Sequence, residues 1–278
     1  MMEIINGKLL AEKIKHEVAQ KIVKLGEKRP NLAIILIGER EDSKLYVSLK
    51  EKEAKKVGID THIYRCESDI SEKEVLDTIN FLNNDENIDA ILVQLPLPEG
   101  LDTDKIIRCI DCNKDVDCFH PENLKDLDCT KMLSPVYGTV IEMLDSIDYE
   151  LENKSVCIIA NSDIFGKNLE KVLKSKEKSL NISVVKANDK DLEKKTSSAD
   201  ILITAVGKPE FIKKEMVKEN AVVIDVGITT EEGDVYGDVD FRDVENKVAY
   251  ITPVPGGVGP MTIAMLFKNT LELFEKKK

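Results

Sequence analysis

The chain has 278 residues, enough for one large or two modest domains, and 42 % of them are hydrophobic, so a sizeable core can be buried. Its 40 basic and 52 acidic residues give a formal charge of −12, which argues against nucleic acid as the main partner. No stretch approaches the ~20 apolar residues that span a bilayer, and the N-terminus lacks a signal-peptide pattern. We therefore expect a cytoplasmic protein with no membrane or nucleic-acid partner.

The first half of the chain alternates apolar strands with amphipathic helices. Ser43 is a candidate N-cap for a helix that Gly58 ends, and Ser71 with Glu74 forms a capping-box pattern. The predicted elements are a helix at 9–28, a strand at 32–37, a helix at 43–57, a strand at 61–65, a helix at 71–82 and a strand at 90–94. This alternating order predicts a parallel sheet with helices on its faces.

The second half repeats this alternation and predicts a second open α/β unit. The predicted strands are 155–159, 182–185, 201–205 and 221–226, and the predicted helices are 166–174, 190–197 and a closing helix at 261–276. We expect the closing helix to pack on the first unit. The predicted domains are therefore residues 1–139 plus 260–278, and residues 140–259.

Tyr46 and Lys50 lie four residues apart on the predicted second helix, so they share a face and can point into one pocket. A lysine there can transfer protons if burial or a cationic neighbour brings its pKa toward neutrality. A tyrosine ring can stack on a flat ligand. The alternative is a solvated face, because the same helix carries five lysines.

Polar residues also follow the third strand and the next helix. Gln94 closes a predicted strand, a position from which side chains often reach a site, although it could equally bond the next loop. Asp115 and Asp117 flank Val116, and one of them could be buried while the other is solvated. A buried carboxylate suits a ring amidine such as that of a pterin or guanine. A turn or cap acid is the alternative.

The second half offers loops where ligands bind outside the carboxyl ends of strands. Residues 161–166 follow a strand and open a helix, so backbone N–H groups there could bind a cofactor phosphate, although the segment is not G-x-G-x-x-G. Small residues such as Gly207 and Gly227 end later strands and would let a nicotinamide ring approach. The loop 253–260 has three prolines and three glycines, which favours a rigid, ligand-facing loop.

Six cysteines occur in the chain. Cys109-x-x-Cys112, followed by Cys118 and Cys129, could form a metal cluster. Cys109 lies instead in an apolar run that looks like a helix end, and structural zinc sites usually come as two close ligand pairs. We therefore predict neither a metal site nor a disulfide framework.

Six segments stand in the order typical of one family. They are Tyr46-x-x-x-Lys50, VQLPLP at 93–98, KDVD at 114–117, ADILITAVGKP at 199–209, VIDVGI at 223–228 and PVPGGVGPMT at 253–262. On these segments the chain resembles the bifunctional methylenetetrahydrofolate dehydrogenase/methenyltetrahydrofolate cyclohydrolase family over nearly its whole length. Chance agreement of all six in order is implausible.

The resemblance implies a homodimeric enzyme that oxidises 5,10-methylenetetrahydrofolate with NADP or NAD and hydrolyses the methenyl product to 10-formyltetrahydrofolate. It implies two open α/β domains, the second a Rossmann-like doubly wound parallel sheet, with an active-site cleft between them. Lys50 would be the central catalytic group, Gln94 would hold and tune it, Tyr46 would stack on the folate, and Asp117 would bind the pterin. The other implied site residues are Leu95, Pro255, Gly256 and Gly257 for the folate, and Ala160, Asn161, Ser162, Lys186, Gly207 and Ile228 for the cofactor.

The sequence departs from the family pattern mainly in the cofactor half. Asn161 stands where an arginine suited to the 2′-phosphate of NADP is usual, and Lys186 follows the next strand in place of a histidine. Asn168 replaces a proline, Cys118 replaces a glycine, and residues 132–137 replace a Pro-Cys-Thr-Pro stretch. We expect NADP, held by Lys186, with NAD as the alternative. A cyclohydrolase with a degenerate cofactor site and a non-catalytic folate-binding protein are the other hypotheses.

Overall fold

The computed structural model describes residues 2–231 and 233–277. The chain divides into two compact units. The three-stranded unit comprises Glu12–Asp126, Met132–Pro135 and Ile263–Lys278, and the six-stranded unit comprises Met1–Ala11, Leu127–Lys131 and Val136–Thr262. Within the described part of the chain, no helix is long and apolar enough to cross a membrane.

The elements alternate along the chain as the sequence predicts. In order they are β1 (Glu3–Ile4), α1 (Gly7–Lys24), β2 (Asn31–Ile37), α2 (Glu41–Val57), β3 (Asp60–Cys66), α3 (Glu72–Asn84), β4 (Ala90–Val93), α4 (Thr103–Cys109), α5 (Pro121–Lys125), α6 (Pro135–Asp145), β5 (Ser155–Ala160), α7 (Asp163–Lys176), β6 (Asn181–Val185), α8 (Leu192–Thr196), β7 (Ile201–Ala205), a 3-10 helix (Lys214–Met216), β8 (Val222–Asp225), β9 (Thr229–Glu231), β10 (Asp234–Tyr236), α9 (Phe241–Val244), β11 (Tyr250–Ile251) and α10 (Val258–Lys276).

The three-stranded unit is built on a parallel sheet with the order β3-β2-β4. Its central strand β2 is buried from Leu32 to Ile37, as expected for a parallel strand covered on both faces. Alternate residues of β2 share one face and join a buried cluster with α3 and α4. The cluster contains Ala33, Ile35, Ile37, Val75, Ile79, Leu82, Ile88, Ile91, Val93, Ile106 and Ile110.

The six-stranded unit is built on a parallel sheet with the order β1-β11-β8-β7-β5-β6. The central strands β5, β7 and β8 are almost completely buried, and β9 and β10 form a separate antiparallel hairpin. Its core cluster contains Cys157, Ile159, Val185, Leu192, Ala199, Leu202, Val206, Ile212, Val217, Ala221, Val223, Val239, Val244, Val248 and Ile251.

Each sheet contains one point where the strand order reverses. The chain runs from β2 to β3 on one side and then places β4 on the other side of β2. It runs likewise from β5 to β6 and then to β7 on the opposite side of β5. Ligands of open α/β sheets bind at such reversals, outside the carboxyl ends of the strands. Gln94 follows β4, and Asn161 and Val206 follow β5 and β7.

The structure corrects two details of the sequence prediction. Ser43 is not the N-cap of α2: it lies buried inside the helix, whose N-cap is Arg40 without a side-chain bond. The first eleven residues group with the six-stranded unit, not with the first predicted domain, because β1 pairs with β11 through Glu3 and Tyr250. The Ser71 capping box is confirmed in both of its hydrogen bonds.

Candidate functional site

Helix α2 carries Tyr46 and Lys50 on one face of the three-stranded unit, and both residues are half-buried. The helix starts with two acids, Glu41 and Asp42, in its first turn, where they complement the helix dipole. It ends at Gly58 in the left-handed conformation, with a φ of 88°, as a helix-terminating glycine should. The same helix buries Ser43, Val47, Ala54 and Val57, and Lys50 lies between Val47 and Ala54 at helical spacing.

Gln94 holds the Lys50 ammonium. The Lys50 Nζ donates to Gln94 Oε1 at 2.9 Å, and the Gln94 Nε2 donates to the Leu95 carbonyl at 2.7 Å. Because a lysine ammonium only donates, this contact fixes the orientation of the Gln94 amide. The Gln94 backbone N–H donates to the Ile35 carbonyl at 2.9 Å, so the strand reversal itself places the amide.

Burial lowers the pKa of Lys50, and the negative charge of Asp117 acts in the opposite direction. Burial also raises the pKa of Asp117 to about 6, with Lys50 lowering it and Asp115 raising it further. The positive charge of Lys50 and the negative charge of Asp117 therefore stabilise each other. Burial and the charge of Asp42 raise the pKa of Tyr46, so its phenol keeps its proton.

The turn that carries Asp117 is fixed by Asp115. Asp115 is buried, whereas Asp117 is half-buried. The Asp115 carboxylate accepts hydrogen bonds from the His120 N–H at 2.7 Å and from Asn123 Nδ2 at 3.0 Å. Asp115 thus acts as a turn acid, whereas Asp117 is the acid whose charge acts on Lys50.

Two supports of this segment were missed by the sequence reasoning. The buried Lys114 ammonium donates to the Leu82 carbonyl at 2.9 Å and to the Asp85 carbonyl at 2.8 Å, at the end of α3. The Asn269 Nδ2 donates to the Val116 carbonyl at 3.0 Å. Cations are favourable at the carboxyl end of a helix, and the last turn of α3 contains no basic residue of its own. This lack was the signal in the sequence that a lysine from another segment, Lys114, could bind there.

Cys118, which follows Asp117, adopts a φ of 55°. This left-handed region favours glycine, which explains why a glycine is usual at this place in the resembling family. The Cys118 thiol is buried, and burial raises its pKa. It therefore remains a protonated thiol rather than a nucleophile.

The turn after β5 meets the loop after β7 in the six-stranded unit. Ser162 caps α7 by accepting a hydrogen bond from the Phe165 N–H at 3.3 Å, and the Asn161 Nδ2 donates to the Val206 carbonyl at 3.0 Å. A Cβ added at Gly166 would lie 2.5 Å from Val184 Cγ1, so only glycine lets α7 approach β6 this closely. The preceding Ala160 is buried at the end of β5.

Lys186 follows β6 and lies beside the first turn of α7. Its ammonium is 3.2 Å from the Asp163 carboxylate, and both side chains are more than half exposed. The two remaining cofactor candidates line the loops after β7 and β8. Gly207 has a φ of 69° and open space where a Cβ would be, and Ile228 is 37 % exposed. These features leave room for a flat group near the backbone.

The loop with Pro255, Gly256 and Gly257 belongs to the six-stranded unit. The Lys8 N–H donates to the Gly256 carbonyl at 2.9 Å, and a Cβ at Gly7 would lie 1.9 Å from the Gly257 oxygen. A Cβ at Gly257 would lie 2.5 Å from the Pro253 oxygen. The glycines therefore allow close backbone packing, and the loop is held rigidly, as its composition predicted.

The cysteines are dispersed. Cys109 ends α4, where its thiol donates to the Leu76 carbonyl at 3.8 Å, and all six cysteines are free thiols. Among residues 2–231 and 233–277, no three His, Cys, Asp or Glu side chains are grouped so that they could hold a metal ion.

Comparison with protein families identifies both halves of the chain. The model of the tetrahydrofolate dehydrogenase/cyclohydrolase catalytic domain matches residues 5–117, and that of the NAD(P)-binding domain of the same family matches residues 135–278. The chain belongs to the tetrahydrofolate dehydrogenase/cyclohydrolase family. The resemblance drawn from the six segments is thereby confirmed, as are the two α/β domains and the NAD(P)-binding domain.

Individual relatives match along the whole chain. It is 44 % identical to the bifunctional protein FolD of a Sulfurihydrogenibium species, with 99 % of each chain covered. A crystal structure of the bifunctional FolD of Campylobacter jejuni has a TM-score of 0.93 at 39 % identity and 100 % coverage of both chains. The FolD of Trypanosoma brucei, solved with NADP and an inhibitor, has a TM-score of 0.93 at 32 % identity, covering 99 % of this chain and 98 % of its own.

Proposed function

We propose that the chain is a bifunctional enzyme that oxidises 5,10-methylenetetrahydrofolate to the methenyl form with NADP or NAD and hydrolyses that form to 10-formyltetrahydrofolate. The observation that carries the proposal is the Lys50 ammonium, half-buried at a strand reversal, 2.9 Å from Gln94 and with a lowered pKa. Family membership supports it, because both family domains are present.

In the hydrolysis, water adds to the positively charged methenyl carbon. The Lys50 amine takes a proton from that water as the carbon–oxygen bond forms, which leaves a neutral carbinolamine. The bond from this carbon to N5 then breaks, the hydroxyl proton passes to N5, and a formyl group remains on N10. A lysine with a lowered pKa suits this step, because a general base works best with a pKa near the working pH and a neutral amine does not repel the cation.

In the oxidation, the same cation forms as hydride leaves the methylene carbon. When bound, NADP or NAD accepts that hydride. Lys50 in its neutral form and the negative charge of Asp117 favour the developing positive charge. Asp117 would also bind the pterin N–H groups, and Tyr46 would stack on the ring. Leu95, Pro255, Gly256 and Gly257 are proposed to complete the folate contacts.

The residues of the six-stranded unit fit a dinucleotide. Ser162 caps a 14-residue helix whose first N–H groups face a strand end, the geometry that favours a phosphate. Gly207 and Ile228 offer the open backbone described above, and Ala160 and Asn161 form the first turn. We propose NADP as the preferred cofactor, with Lys186 as the cation for its extra phosphate. A cyclohydrolase without dehydrogenase activity is the second candidate, favoured by Asn161 in place of an arginine.

Two further expectations stay proposals. We propose a homodimer, which light scattering behind a sizing column would test: a single peak at twice 31.2 kDa is expected. We also propose a cytoplasmic location, for which recovery in the membrane fraction after cell lysis would be the contrary result.

The decisive experiment measures both activities of the purified chain. Methylenetetrahydrofolate with NADP or NAD should produce reduced-nicotinamide absorbance, and methenyltetrahydrofolate alone should lose its absorbance faster than without protein. Lys50→Met should abolish the hydrolysis, whereas Lys52→Met, an exposed lysine on the same helix, should not. Cofactor reduction by neither nucleotide would support the cyclohydrolase alone, and equal activity of Lys50→Met and wild type would support a non-catalytic folate-binding protein.

A further inference from the structure

Two buried carboxylates in the six-stranded unit have no part in the chemistry described above. Asp225 is the last residue of β8, and Asp238 follows the β9–β10 hairpin. Their side chains are 2 % and 0 % exposed. Described residues offer neither of them an ion pair with a lysine or arginine, and a buried carboxylate without a cation needs several hydrogen bonds to remain stable.

Asp238 receives its hydrogen bonds from the loop after β7. The Thr204 hydroxyl donates to Oδ2 at 2.8 Å, the Val206 N–H donates to the same oxygen at 2.6 Å, and the Lys208 N–H donates to Oδ1 at 2.9 Å. These three donors flank Gly207, whose φ of 69° lies in the left-handed region. One carboxylate thus fixes the backbone on both sides of that glycine.

Asp225 connects Asp238 to the loop after β8. Its carboxylate accepts hydrogen bonds from the N–H groups of Gly227 at 3.0 Å, Asp238 at 3.1 Å and Val239 at 2.9 Å. The Gly227 loop is therefore tied to the backbone of Asp238, whose own side chain is tied to the Gly207 loop. The two loops share one hydrogen-bonded support.

Gly227 and Gly237 pack directly against the two carboxylates, with no room for a side chain. A Cβ added at Gly227 would lie 2.2 Å from the Asp238 carboxyl group, and one added at Gly237 would lie 2.1 Å from Asp225 Oδ2. Side-chain atoms essentially never approach this closely. Both loops therefore lie directly against the carboxylates, and a change of either carboxylate must shift the loops.

We propose that Asp238 is a positioning residue for the nicotinamide cofactor. Asp238 fixes the position of the Gly207 loop and, through Asp225, the position of the Gly227 loop, which carries Ile228. The inference rests on the proposed function, in which Gly207 and Ile228 line the cofactor site. An asparagine cannot replace the aspartate, because its amide N–H₂ would face one of the N–H donors and lose that bond. A carboxylate alone offers acceptors to all three.

The test compares wild type, Asp238→Asn and Asp238→Ala in both activities. The Michaelis constant and the dissociation constant for the preferred nucleotide should rise by about 10-fold or more, the range of losing one or two buried hydrogen bonds. Hydrolysis of methenyltetrahydrofolate without nucleotide should stay within about two-fold of wild type, since Lys50 and Gln94 are unchanged. A merely structural role would instead lower both activities in parallel with the melting temperature.

A milder pair of variants covers the case in which Asp238 variants do not fold. Thr204→Val removes one donor to Asp238 at nearly constant volume and should weaken nucleotide binding by roughly 2- to 10-fold. Thr196→Val is the matched control, because Thr196 is also buried in this unit but its hydroxyl donates to the Glu193 carbonyl of its own helix. Unchanged nucleotide binding in Thr204→Val, or an equal change in the control, overturns the inference. A wild-type chain that binds neither nucleotide overturns the proposed function and this inference with it.

Discussion

Replacing Gln94 with leucine removes the oxygen that accepts the hydrogen bond from the Lys50 ammonium. Hydrogen bonds to charged groups stabilise by about 1.5–3 kcal/mol, and 1.36 kcal/mol is a factor of ten in ionisation. Loss of this bond disfavours the charged form, so the pKa of Lys50 should fall. Replacing Gln94 with glutamate places a carboxylate at the same position and should raise the pKa of Lys50 instead.

The assay is the rate of methenyltetrahydrofolate hydrolysis as a function of pH, without nucleotide and after subtraction of the uncatalysed rate. The rate should rise with pH as Lys50 loses its proton, and this rise should move to lower pH in Gln94→Leu and to higher pH in Gln94→Glu. Gln20→Leu serves as the control, since Gln20 is exposed and its side chain bonds His16 on the same helix. A displacement of both variants in the same direction, or of neither, would refute the role given to Gln94.

Three other predictions concern charges. Asp117→Asn removes the carboxylate that raises the pKa of Lys50, so the rise of hydrolysis with pH should move to lower pH while the folate Michaelis constant increases. Asp163→Asn frees Lys186 from its ion pair and should increase the preference for NADP over NAD in initial rates. Burial raises the pKa of Asp225 from 3.8 to about 7. Its contribution to stability should therefore be complete below the unfolded pKa and be lost as pH rises toward 7, by about 4 kcal/mol. In urea unfolding across this range, the free energy of unfolding should depend less on pH in Asp225→Asn than in wild type.

Each of these predictions has an outcome that contradicts it. For Asp117→Asn, an unchanged or upward displacement of the pH dependence would show that its charge does not act on Lys50. For Asp163→Asn, the control is Asp77→Asn, which alters another exposed acid paired with a lysine. An equal change of nucleotide preference in both variants would contradict the role proposed for Lys186. For Asp225→Asn, a free energy of unfolding that depends on pH as steeply as in wild type would show that other groups cause the pH dependence.

The sequence predicted the elements well, and it placed Tyr46 and Lys50 on one helix, because these signals are local. The four-residue spacing of Tyr46 and Lys50 and the capping box at Ser71 are properties of single helices. Helix starts are harder to predict: Ser43 has the chemistry of a cap but is the third residue of α2, where it lies buried. The pairing of β1 with β11 was not predicted, because a two-residue strand carries almost no pattern.

The supports of the site could not be predicted, because their partners are distant in sequence. Lys114 bonds carbonyls near residue 82, and Asp238 bonds a loop 30 to 34 residues earlier. Neither residue type signals such a role by itself. Periodicity reports which side of an element is buried, whereas these contacts depend on how whole elements pack.

Two departures from the family pattern prove to be neighbours. Asn168 replaces a proline and Tyr137 lies in the altered 132–137 segment, and the two side chains share a hydrogen bond. The Tyr137 ring also lies 5.6 Å from that of Phe165, and burial raises the pKa of Tyr137 to about 12. The two departures therefore lie in direct contact, which a single sequence could not reveal.

The position of Asn161 has a consequence for how this enzyme can change. Its side chain is exposed, and its amide donates a hydrogen bond to the Val206 carbonyl. Other residues can therefore occupy this position without leaving a cavity in the sheet. Exposed substitutions usually alter stability by less than about 0.5 kcal/mol. In the proposed function Asn161 lies in the cofactor turn, so a substitution there should change nucleotide preference with little effect on the free energy of unfolding.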